Sequence, residues 1–143
     1  MKLFSLLLEN RPGALDRITG LIRRCGWNIE EIIASKTRRE GVTLMTISVM
    51  SKGMSDETFR RKFAELECVQ SFDIYSSQTH LLREMVLIRS PGELTNPQLR
   101  KIGDENGVIV YEFSGTPDDV AALIQSLHES VEYTRTGGLI IRK

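Results

Sequence analysis

Apolar and polar positions along this chain fall into two successive blocks of strands and helices. Leu6, Leu7 and Leu8 read as a strand buried on both faces, and Leu15, Ile18, Leu21 and Ile22 then recur at helical spacing. Trp27 to Ser35 has the apolar pattern of a strand, Gly41 marks a turn, and Val42 to Met50 alternates among strong β-formers. Ser55 with Asp56 and Glu57 opens a second helix whose Phe59, Phe63 and Leu66 share a face, and Val69 to Ser76 supplies another strand. The order is β-α-β-β-α-β, a split βαβ arrangement that sets two helices on one face of a four-stranded antiparallel sheet.

The second block begins with a strand at His80 to Arg89, after which Pro91, Gly92 and Pro97 break regular structure. Gly107 to Ser114 reads as a buried strand. Thr116 is a good N-cap, Pro117 fits the first helical position, and Val120, Leu123, Ile124 and Leu127 form the apolar stripe of a helix. Val131 to Thr136 and Leu139 to Arg142 are short closing strands, separated or bent at Gly137 and Gly138.

The junction from Glu9 to Gly13 joins the first strand to the first helix. Pro12 suits the first helical turn, and Gly13 lets another group approach the backbone closely. Two readings fit these residues. One is an ordinary helix start with Asn10 or Arg11 near the cap. The other is an anion site, where a carboxylate gains hydrogen bonds from unpaired N–H groups and a helix-dipole contribution of roughly 0.3–1 kcal/mol.

Composition narrows the classes. With 143 residues and 41% hydrophobic content the chain can bury a real core, as one domain or two small ones. Nineteen Lys and Arg balance nineteen Asp and Glu, so no overall basic surplus draws it to nucleic acid or an anionic membrane. Glu9 interrupts the apolar run Leu3 to Leu8 before a signal-peptide core could form, which points to the cytoplasm. Cys25 and Cys68 form no C-x-x-C pair, and His80 and His128 lack metal-ligand spacing; packing roles are expected for them. A nucleophile elbow, a P-loop and a dinucleotide fingerprint are all missing, which favours a binding or regulatory chain over an enzyme.

The chain resembles the small regulatory subunits of acetolactate synthase, whose amino-terminal half is an ACT domain. The likeness rests on ENRPGAL at 9 to 15, DRITGLIRRCG at 16 to 26, NIE at 28 to 30 and MTI at 45 to 47. It continues through REMVLIR at 83 to 89, SGTPDDVAALI at 114 to 124 and RTGGLIIRK at 135 to 143. The fold it implies is α+β: a ferredoxin-like βαββαβ ACT domain over residues 1–77, then a second, smaller ferredoxin-like α+β domain over 78–143. Residues 90 to 106 depart from the family, which usually carries a helix and an additional strand there. That half is expected either to be trimmed to a single short helix around Gln98 to Ile102 or to complete its sheet by pairing with another chain.

The function implied by the resemblance is regulatory. Such a chain is non-catalytic, dimerises through its ACT domain, stimulates the large catalytic subunit and confers feedback inhibition by valine or a related branched-chain amino acid. No cofactor is expected in this chain; thiamine diphosphate, Mg and FAD belong to the large subunit. By carry-over, Asn10, Pro12 and Gly13 form the loop that receives the effector's α-carboxylate, with Ala14 and Leu15 beside it. Asn28 and Ile29, from the NIE motif, would reach the ligand from the neighbouring protomer. One departure touches partner choice: Arg38, Arg39 and Glu40 stand where the family commonly has acidic residues and a proline, and Leu44 where it has an arginine. The alternative is a stand-alone amino-acid-sensing ACT protein that regulates a different enzyme.

Overall fold

The amino-terminal apolar run becomes the interior of a sheet. In the computed structural model, which describes residues 1–50, 53 and 55–142, β1 (Lys2–Glu9) lies between β3 (Val42–Met50) and β4 (Val69–Ile74) and pairs antiparallel with both. Among the described residues β2 (Asn28–Lys36) pairs only with β3, giving the strand order β2-β3-β1-β4. Phe4, Leu6 and Leu8 point to one face and are fully buried there, under helices α1 (Ala14–Arg24) and α2 (Asp56–Ala64). Lys143, the last residue of the carboxy-terminal motif, lies outside the described residues.

An aromatic cluster fills this core. Phe4 meets Phe63 and Phe72 with ring centroids 4.9 and 5.3 Å away, Phe63 stacks on Phe72 at 4.8 Å, and Trp27 packs on Phe59 at 4.2 Å. Each such pair adds about 0.5–1.5 kcal/mol to the burial of its area. α2 is started by Ser55, whose hydroxyl accepts the Thr58 N–H, with Asp56 and Glu57 in its first turn. α1 buries Ala14, Ile18, Leu21 and Ile22. Leu15, expected on that stripe, instead faces outward and is 51% exposed. The helix begins at Ala14, two residues later than a Pro12 in the first helical position implies. Gly13 is the N-cap, at φ +84°, and Pro12 precedes the helix; at about 100° per residue Ala14 falls within the arc of Ile18, Leu21 and Ile22, and Leu15 just past its edge.

The structure groups into two compact units, Met1–Leu81 with Ile140–Lys143, and Leu82–Leu139. The second unit repeats the topology of the first with one helix missing. β5 (His80–Ser90), β6 (Arg100–Glu105), β7 (Val108–Gly115), α3 (Pro117–Ser126) and β8 (Glu132–Arg135) give the order β6-β7-β5-β8; β9 (Leu139–Arg142) closes the chain. The helix expected around Gln98 to Ile102 does not form. Those residues instead lead into β6, which pairs with β7 through a two-residue turn at Asn106 and Gly107. Both turn residues have positive φ, 53° and 78°, the geometry that suits the twist of a hairpin. The loop between β5 and β6 does the missing helix's work: Leu94 and Leu99 pack on Val86, Ile88, Ile109 and their neighbours, and the Leu94 N–H donates to Tyr111 Oη at 3.0 Å.

α3 carries a full capping box. Asp119 N–H donates to Thr116 Oγ1 at 3.2 Å, while the Thr116 hydroxyl and N–H donate to Asp119 Oδ2 at 2.6 and 2.9 Å. These bonds hold the Asp119 carboxyl below the usual aspartate range. Because the folded-state value is depressed, this contribution is present at neutral pH and lost as pH falls through that lowered value.

The second unit also holds a shielded ion pair. Glu84, its side chain 4% exposed, accepts from Arg135 Nη2 at 2.5 Å, with Arg135 partly open to solvent. Arg135→Ala is therefore expected to strand a buried carboxylate and to destabilise this unit by about 3 kcal/mol, read as a lower urea midpoint. Adding Glu84→Gln to that variant should recover much of the loss; a double variant no better than Arg135→Ala would show that the pair is not what carries the stability.

Candidate functional site

The clearest concavity built on the first helix turn lies at the β2 edge of the first unit. It encloses about 260 Å³ and is lined by Leu8, Glu9, Asn10, Ala14, Leu15, Ala34, Ser35, Lys36, Thr43 and Met45. The strand register explains how these meet. Ala34 pairs with Met45 and Lys36 with Thr43, while Leu8 sits opposite Thr43 on the other side of β3, so all five lie on the helix-covered face below the start of α1. Two small residues, Ala14 on the helix and Ala34 on the strand, leave the space. The floor is aliphatic and the rim is polar, the usual make-up of a small-molecule site.

The junction above it offers donors. Asn10 N–H donates to Gly41 O at 2.8 Å, Arg11 N–H to Glu9 O at 3.0 Å, and Ala14 N–H to Arg11 O at 3.2 Å. The first helical bond is Arg17 N–H to Gly13 O, at 3.0 Å. Among the described residues, Gly13, Leu15 and Asp16 thus keep N–H groups with no backbone acceptor, at the positive end of the α1 dipole. No side chain caps this helix start, so neither Asn10 nor Arg11 takes the capping role. Lys36, a cation, is among the residues that line the same cavity. An aliphatic floor, unpaired N–H groups and a cation on one side can take a carboxylate that carries a short apolar side chain.

Of the residues singled out in the sequence, Asn10, Ala14 and Leu15 line the cavity. Pro12 and Gly13 shape the turn without lining it. Asn28 and Ile29 lie at the far end of β2, about 25 Å from the Lys36 end at ~3.3 Å per residue, so within one chain they do not reach the cavity. The Asn28 amide donates to Glu30 Oε1 at 2.6 Å. Ala34, Ser35, Lys36, Thr43 and Met45 were not foreseen. Their signal is tertiary: they become neighbours of Asn10 only through the β1–β3–β2 register, and no local motif encodes that.

Other chemistry-bearing residues have structural partners. His80 is buried, its Nε2 3.1 Å from Asp73 Oδ2 and its Nδ1 2.8 Å from Thr79 Oγ1 and 3.3 Å from the Ser76 N–H. A hydrogen on Nε2 satisfies all three bonds. His128 Nδ1 bonds to Ser130. Cys25 is half-buried against the core and Cys68 is buried, both as free thiols. Among the described residues no three His, Cys, Asp or Glu side chains are arranged to hold a metal ion, and no helix is long and apolar enough to cross a membrane.

Comparison with known proteins now adds to this geometry. Residues 4–69 match the model of the AHAS small subunit-like ACT domain. The chain is 31% identical to the acetolactate synthase small subunit of Haemophilus influenzae, over 95% of this chain and 91% of that protein. It is 32% identical to the probable acetolactate synthase small subunit of Archaeoglobus fulgidus, over 93% and 91% respectively. The chain belongs to the acetolactate synthase small-subunit family. Its fold also matches the crystal structure of the acetolactate synthase small subunit from Thermotoga maritima, with a TM-score of 0.86, 22% identity and coverage of 99% of this chain and 96% of that one. Membership of the small-subunit family places the concavity within its ACT domain, between the first helix turn and the edge strand.

The exposure of Leu15 separates site from core. Leu15→Ser is expected to change stability by no more than about 0.5 kcal/mol, whereas Ile18→Ala, at a fully buried position on the same helix, should cost about 2–5 kcal/mol. Parallel urea titrations of the two variants test this, and equal losses would return Leu15 to the core.

Proposed function

We propose that this chain is a non-catalytic regulatory subunit of acetolactate synthase that stimulates the catalytic large subunit and conveys feedback inhibition by valine. The observation that carries the reading is the α1 turn: the segment that holds three N–H groups without backbone acceptors also contributes Asn10, Ala14 and Leu15 to a cavity with Leu8, Ala34 and Met45 as its aliphatic floor. Such a site favours an amino acid with a small branched side chain. Its volume does not by itself separate valine from leucine or isoleucine, since each buried CH₂ is worth only about 0.8 kcal/mol. The thiamine diphosphate, Mg and FAD of the reaction belong to the large subunit in this reading.

A dimer through the first unit completes the site. Among the described residues β2 is an edge strand with no strand on its outer side, and it exposes Ile32, while Leu15 and Met50 are also exposed in this unit. An exposed apolar edge of this kind is a template for a second chain. Antiparallel pairing of β2 with its own copy, centred near the middle of the strand, brings Asn28 of the second copy toward the Lys36 end of the first. That is how a residue about 25 Å away in one chain becomes a neighbour of the carboxylate site across a two-fold axis. Inhibition then requires valine to favour one arrangement of the pair, by a coupling free energy of ~1–3 kcal/mol.

Pyruvate-to-acetolactate turnover by the large subunit, measured with and without this chain across a valine titration, is expected to show stimulation that valine reverses. Absence of any effect on turnover would favour a stand-alone sensor of another enzyme instead. Gly13→Asp tests the loop. A Cβ on Gly13 meets nothing within 4 Å, so the variant should fold and assemble, at a torsional cost of about 1 kcal/mol because φ is +84°. The carboxylate it introduces repels the effector's own, and half-inhibition is expected to need roughly 10–100 times more valine. An unchanged titration would remove the loop from the site.

A further inference from the structure

Charges near the cavity are mostly answered. Arg11 approaches Glu9 at 3.1 Å and Glu67 at 3.9 Å, and Arg17 approaches Glu67 at 3.7 Å. Arg38 and Arg39, on the tip between β2 and β3, are different: both are exposed, and among the described residues neither has a carboxylate within ion-pair distance. Two adjacent like charges repel, and neighbouring Glu40 forms no ion pair with either among the described residues.

The backbone beneath them is nevertheless fixed. Thr37 Oγ1 donates to Val42 O at 3.0 Å and accepts the Arg39 N–H at 3.1 Å, and the Thr37 and Val42 N–H groups close the loop on Val42 O and Arg39 O, each at 3.2 Å. Asn10 N–H adds the bond to Gly41 O, which sits at φ +72°. An exposed loop held by this many bonds presents its side chains in a set direction, which lowers the entropy lost on contact. The loop also grows directly out of the cavity wall: Ala34 to Lys36 enter it, Thr43 follows it, and Asn10 both lines the cavity and bonds to the tip.

We propose that the Arg38–Arg39 tip is the contact through which this chain engages its catalytic partner, the two guanidinium groups receiving a carboxylate-bearing segment of that protein. The inference rests on the regulatory-subunit reading and adds to it the chemistry of the contact. Guanidinium forks match carboxylates in a bidentate way that lysine cannot reproduce. The chain's balanced overall charge makes this a local recognition element rather than part of a broad basic field. Its position lets a change at Asn10 reach the partner through a single hydrogen bond.

The test measures association of this chain with the large subunit at several salt concentrations, for the wild type and for R38E/R39E, alongside the oligomeric state and valine binding of each. The wild-type complex is expected to weaken as salt rises. The double variant should associate at least about tenfold more slowly at low salt, with a flatter salt dependence and with oligomeric state and valine binding unchanged. R38K/R39K should recover part of the rate. Equal association and salt dependence in wild type and R38E/R39E would overturn the inference while leaving the regulatory reading intact, as would a variant that loses only its retention on heparin. Failure of the wild type to associate with the large subunit at all would overturn the regulatory reading itself, and the inference with it.

Discussion

Phe4 is the residue on which the first unit turns. From the interior strand it touches rings from α2 and from β4, and that contact fixes the helix on the sheet and closes the core at one end. Trp27 extends the cluster past the end of α1. Bulk is therefore concentrated at one end of the helix-covered face. At the other end the side chains shrink to Ala14 and Ala34, and the cover thins to the first turn of α1. The cavity is the counterpart of the aromatic cluster: the same two-layer packing is filled at one end and left open at the other.

The main architecture was legible because it is written in local periodicity. Val42–Met50 and Leu139–Arg142 form over the residues expected, and α3 starts at Thr116 with the box its sequence spells. The misreadings share a cause, which is that a residue's environment is set by partners far along the chain. Leu15 counts as apolar in any periodic pattern, yet it sits just past the arc that Ile18, Leu21 and Ile22 turn to the sheet, and the packing of α1 on distant strands leaves it open. β6 has the sequence RKIGDE, with no apolar alternation, so it is held by pairing with β7 and not by burial. The Asn-Gly pair that announces this hairpin was present in the sequence and was masked by the polar stretch before it.

The site was legible in half. The turn that supplies the donors is local, and its residues were named. The opposite wall, Ala34 to Lys36 with Thr43, is a product of strand register and has no motif. Asn28 illustrates the same point from the other side: its motif is clear, yet within one chain it lies at the end of β2 away from the cavity, and only in the proposed dimer would it come near.

The two units share a strand order but differ in how their outer hairpins are made. In the first, β2 and β3 are joined by a five-residue connection tied down by a threonine side chain; in the second, β6 and β7 turn through Asn106 and Gly107 alone. This difference bears on the order of folding events. A two-residue turn makes the β6–β7 contact the most local pairing in its unit, and hairpins of this type close on the order of 1–10 μs. Replacing a helical crossover by the short loop before β6 also lowers the average sequence separation of contacts, and with it the entropy that must be lost before the sheet can assemble. The trimmed half of the chain is thus built to nucleate from its hairpin, with β5 and β8 added to an edge already in place.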